Sequence, residues 1–74
     1  MSYIDLNNME CEEAMMTIRF YIRTNKMTAG DSLSIHSQSE TFWTLVTSWA
    51  SSFEHIVSRE PVEAGGWVAR ITLN

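Results

Sequence analysis

The 74-residue chain changes hydrophobic period again and again, and the changes alone leave few folds open to it. Ala14, Met15, Ile18, Tyr21 and Ile22 recur at helical spacing, and Phe42, Leu45, Val46, Trp49 and Phe53 do so again, with Trp43 at the margin. Between and after these stripes the period drops to two. Leu33 and Ile35 alternate with Ser32, Ser34 and His36; Trp67, Ala69, Ile71 and Leu73 alternate with Val68, Arg70 and Thr72. Tyr3 to Leu6 and Ile56 to Arg59, the latter ended by Pro61, read as two shorter strands. The order is therefore β-α-β-α-β-β. Strands with one apolar face suit a sheet covered on one side only, so both helices must pack on that side. The expectation is an α+β fold: a two-layer α/β sandwich whose four-stranded mixed sheet carries two helices on one face. Its first βαβ unit should be parallel and right-handed.

Local signals place the joints. Asn7-Asn8 is a turn, since asparagine tolerates left-handed backbone angles. A helix is expected from about Cys11 to Asn25, with Glu12 and Glu13 in its first turn and Arg23 and Lys26 toward its end. Thr28 to Asp31 forms a turn, Ser39 is an N-cap candidate, and the second helix is expected from about Glu40 to His55. Glu63-Ala64-Gly65-Gly66 supplies a hairpin loop. No repeat or linker divides the chain, so residues 1–74 are expected to form one domain.

Composition narrows function by exclusion. Nine acidic residues against five basic ones give a net charge of −4, and no basic stripe interleaved with aromatics appears, which disfavours nucleic acid as a ligand. A basic patch on a protein partner fits the sign better. There is no signal-peptide pattern and no apolar run of membrane-spanning length, and a lone cysteine forms no internal disulfide. A soluble, cytoplasmic protein is expected. Two histidines and one cysteine, widely spaced, do not make a zinc pattern, and no phosphate loop, catalytic triad or paired acid–base carboxylates stand out. No cofactor is implied.

The residue that stands apart chemically is Cys11, at the junction between the first strand and the first helix. Helix-start N–H groups and the helix dipole favour a thiolate there, while carboxylates at Glu10, Glu12 and Glu13 oppose it if they lie close. A small, partly buried residue beside the helix cap is the structural use of the same position. With a parallel first unit, His36 at the end of the second strand shares a rim with Cys11 and could pair with it; a solvated strand-end histidine is the plainer alternative. His55 is expected to cap or flank the second helix. Met16 and Phe20, four residues apart and off the apolar stripe, could form an adaptable partner surface with Glu12 and Glu13. The three tryptophans are expected in the core and at its margin.

The stretch Asp5-Leu6-x-x-Met9-x-Cys11-Glu12-Glu13-Ala14, followed by Met15-Met16-Thr17-Ile18-Arg19, resembles the TusA-like (SirA) sulfur-carrier family, as does the Ala29-Gly30-Asp31 turn. That family consists of small β-α-β-α-β-β domains with a Cys-Pro-x-Pro motif opening the first helix. The likeness covers nearly the whole chain in element order and is specific around Cys11. There the motif is degenerate: Glu12 and Ala14 stand where the prolines belong, and Asn8 where glycine is usual. The resemblance implies that Cys11 carries persulfide sulfur between a donor and an acceptor protein, a sulfurtransferase-like role. Two other roles stay open on the same fold: a protein-binding or regulatory module that has lost the transfer chemistry, and a homo-oligomer pairing through its open sheet face or edge.

Overall fold

The computed structural model describes residues 2–74. Its elements run β1 (Tyr3–Asp5), α1 (Cys11–Thr24), β2 (Ser32–Ser37), α2 (Glu40–Ser52), β3 (Ile56–Pro61) and β4 (Trp67–Thr72). The four strands form one sheet in the order β1-β2-β4-β3, parallel between β1 and β2 and antiparallel elsewhere. This is the α+β, two-layer arrangement that the alternating periods require.

Register explains why one face is dry. Ile4 lies beside Ile35, Ile35 beside Ala69, and Leu33 and Val57 flank Ile71, so apolar residues from neighbouring strands line up on one side. Ala14, Met15 and Ile18 of α1 and Phe42 and Val46 of α2 close over that side in one core cluster with Leu33, Ile35, Trp67, Ala69 and Ile71. A one-residue slip of β2 or β4 would turn each strand's buried row outward, which is why the register is firmly set. The other side of the sheet presents Ser34, His36, Ser58 and Arg70. The edges are blunted: β1 is three residues long, and β3 ends in Glu60 and Pro61, both exposed.

Both helices stop without glycine. After α1, Lys26 takes the left-handed conformation at φ 52°, its N–H donating to the Arg23 carbonyl while Met27 N–H donates to the Ile22 carbonyl. After α2, Glu54 does the same at φ 61°, with Glu54 N–H to Ser51 and His55 N–H to Ala50. These paired bonds are those of Schellman caps, normally built on glycine. The expected extension of the second helix to His55 is therefore corrected, because the chain reverses at Glu54.

Two members of the expected α2 stripe are also corrected, Phe53 because it falls at the reversal and Leu45 because it lies off the buried row. Phe53 is the C-cap residue and is 60% exposed, and Leu45 is 39% exposed. The residues that α2 buries are Phe42, Val46 and Ala50, a narrower row at four-residue spacing. Ser39 does cap α2, its Oγ accepting the Phe42 N–H at 3.0 Å. Pro61 closes β3 as its last paired residue rather than standing just beyond it.

A side chain at φ near +55° is strained, so Lys26→Gly and Glu54→Gly should each raise stability by about 0.5–1 kcal/mol in urea unfolding. Unchanged or lowered midpoints would contradict the cap assignment.

Candidate functional site

Cys11 is the first residue of α1, half-buried, with its inner side against the core. The turn that delivers it is held from several directions. Leu6 is buried, and its N–H donates to the His36 carbonyl on β2 at 2.8 Å. Asn8 adopts φ 70°, the left-handed step expected of the Asn7-Asn8 turn. Met9 N–H returns to the Leu6 carbonyl at 3.3 Å. Glu10 then takes the N-cap position in extended conformation, and its side chain makes no capping hydrogen bond. Among the described residues, the first turn of α1 is thus left without a side-chain acceptor on its N–H groups, directly beside the sulfur.

His36 reaches the same rim but does not pair with Cys11. Its Nε2 lies 3.3 Å from the Gly65 carbonyl, which can only accept, so Nε2 bears the proton in that bond. In the neutral ring Nδ1 then accepts from the Asn7 side-chain amide at 3.2 Å. The Asp5 carboxylate stands 3.4 Å from the same nitrogen and also accepts the Asn7 backbone N–H. With its side chain only 12% exposed, His36 is neither a thiol's base nor a solvated strand-end residue. It ties the turn before Cys11, across β2, to the β3–β4 hairpin. Among the described residues the Cys11 sulfur has no hydrogen-bond partner.

The other expected site residues do come together. Glu12 and Glu13 are exposed in the first turn, and Met16 and Phe20 are each 63% exposed one and two turns later. The four share a shallow depression on the outer side of α1, with Glu10 and Thr17 completing its lining. Exposed Met9 adjoins it, its sulfur 3.7 Å from Thr17 Oγ1. Met15 is buried, as its place on the stripe requires.

Two groupings escaped the sequence reading. One is the Asp5–Asn7–His36–Gly65 network. The other is Arg59, whose guanidinium lies 4.8 Å from the Trp43 ring centroid and donates to both Glu40 carboxylate oxygens, at 3.0 and 3.1 Å. Trp43 in turn meets Trp67 edge-on at 5.3 Å, and Phe42 stacks near Trp67 at 6.1 Å. The tryptophans are core and core margin, as expected. Polar residues far apart in sequence, at exposed-looking positions, carry no period that would announce such contacts.

Among the described residues no three potential metal-ligating side chains gather, and no helix is long and apolar enough to cross a membrane. Comparison with protein-family models, with curated proteins and with solved structures finds no match.

The hairpin end of the His36 network depends on Gly66. At φ 81°, a Cβ there would overlap the Ser37 carbonyl oxygen and come within 3.0 Å of Gln38 Cα. Gly30 shares a positive φ but faces open space. Gly66→Ala should cost about 2 kcal/mol or more and clearly exceed Gly30→Ala in denaturant unfolding. Equal effects would show that the close approach is absent.

Proposed function

We propose that the protein is a sulfur carrier of the TusA-like kind, holding sulfane sulfur on Cys11 between protein partners. The observation that carries this reading is the placement of the lone thiol at the opening of α1, solvent-accessible and beside helix-start N–H groups that no side chain caps. The element order implied by the resemblance is also the order found.

The chemistry needs no cofactor. The Cys11 thiolate attacks the outer sulfur of a donor persulfide; the donor's S–S bond breaks, its thiolate leaves, and Cys11 becomes the persulfide. An acceptor thiolate then attacks the outer sulfur of that persulfide, and Cys11 is released as thiolate. Each step exchanges one S–S bond for another, so no external oxidant or reductant enters. The dipole of α1 and the uncapped main-chain N–H groups of its first turn favour the sulfur anion electrostatically. The missing motif prolines leave this feasible, because Glu12 enters a helix without strain, although a proline would pre-set the backbone there. A free working thiol fits a reducing compartment such as the cytoplasm.

Met16 and Phe20 offer an adaptable apolar contact, and Glu12 and Glu13 favour a partner with basic residues around its own reactive sulfur. Their exposure also favours a second reading, a binding module on this fold that has lost transfer. Intact mass after incubation with a low-molecular-weight persulfide separates the two. The carrier gains one sulfur, loses it again to an added acceptor thiol, and gains none as Cys11→Ser. A wild-type protein that stays unmodified leaves the binding module.

A further inference from the structure

The outer side of α1 carries an order of residues that sulfur chemistry does not explain. Ala14, Met15 and Ile18 turn inward, so helical phase sets Glu13, Met16, Phe20 and Arg23 on the opposite side, with Glu12 flanking them. All five are exposed, Met16 and Phe20 at 63% each although they are large and apolar. Along the helix this surface therefore runs from acidic through apolar to basic.

The two charged ends cannot satisfy each other within one helix. Glu12 and Arg23 are eleven residues apart, about 16 Å by helical rise. Among the described residues neither they nor Glu13 form an ion pair. The helix dipole accounts for the sign of charge at each end, but not for the bare Met16 and Phe20 between them. A second α1 laid antiparallel against the first accounts for both. About the level of Ile18, Met16 and Phe20 stand two residues to either side, and Glu13 and Arg23 stand five. Reversal therefore sets Met16 of one copy on Phe20 of the other, and brings Glu12 and Glu13 to the level of the other copy's Arg23. A uniformly basic surface would suit Glu12 and Glu13 but meet repulsion at Arg23, whereas a reversed copy of this chain suits both ends.

We propose that the chain self-associates through the outer side of α1 as an antiparallel, two-fold symmetric dimer. Met16 and Phe20 form its centre, and the Glu12/Glu13 end of each copy meets Arg23 of the other, the same contact repeated on both sides of the axis. One helix face per copy is smaller than a standard interface of roughly 1,200–2,000 Å², so association is reversible and depends on concentration. Cys11 packs its inner side against the core, away from this contact, so the proposal does not rest on sulfur transfer. A partner that docks on Met16 and Phe20 would compete with the second copy.

Sedimentation equilibrium under reducing conditions, from about 10 µM to about 1 mM protein, tests this. The average mass should rise from one chain toward two across that range, in Cys11→Ser as in the wild type. Met16→Ser/Phe20→Ser alters only exposed positions and should weaken association about tenfold or more. The charge-reversing variants Glu12→Arg/Glu13→Arg and Arg23→Glu should each associate as poorly alone. Mixing those two should restore association, because opposite charges then face each other in both contacts. A mass of one chain at every wild-type concentration, undiminished association in any of these variants, or no recovery on mixing would each overturn the proposal.

Discussion

Everything in this molecule depends on two helices covering the same face of a four-stranded sheet. A chain of this length has material for one core only, and burial of apolar area is its main source of stability. Ile18 and Val46, fully buried on their helices, meet a floor of Leu33, Ile35, Ala69 and Ile71. Ser32 and Ser34 of β2 can face away because no described helix packs on that side, whereas Ser37 is buried in phase with Leu33 and Ile35. Losing the floor's register would remove the reason for both helices to stay.

The same packing fixes the end of the molecule that presents Cys11. Because β1 is short, the turn after it is held mainly by Leu6 in the core, by the Leu6–His36 backbone bond, and by the side-chain network through Asn7 and His36 to Gly65. Cys11 therefore starts α1 at a place set by β2 and by the β3–β4 hairpin, two elements distant in sequence. His36 acts here through position: it joins the loops around the thiol without touching the sulfur. On the far side, the α1 and α2 termini converge around Trp49 and Phe53.

What the sequence disclosed follows from what has a period. The stripe of Ala14, Met15 and Ile18 and the alternation along β2 and β4 specify elements, layers and burial almost completely. Helix ends were harder, since Lys26 and Glu54 occupy left-handed positions where glycine would have advertised a stop. That is why Phe53 looked like a core residue. The contacts of His36 and Arg59 were invisible for a different reason: they join residues 29 and 19 apart through geometry that exists only after the strands pair. Of the site itself, the location of Cys11 and the exposure of Glu12, Glu13, Met16 and Phe20 were legible, because they depend on local helix phase alone. The Cys11–His36 pairing was not, since sharing a rim does not decide which neighbour a ring nitrogen meets.

The decisive property is whether the sulfur is presented to solvent while the fold is intact. Iodoacetamide modification at neutral pH, followed in native buffer and in denaturant, measures it directly. A thiol seated at the mouth of α1 should react in the folded protein within about tenfold of the unfolded chain's rate. Modification that occurs only as fast as the protein globally unfolds would place the sulfur in the interior and contradict a carrier role.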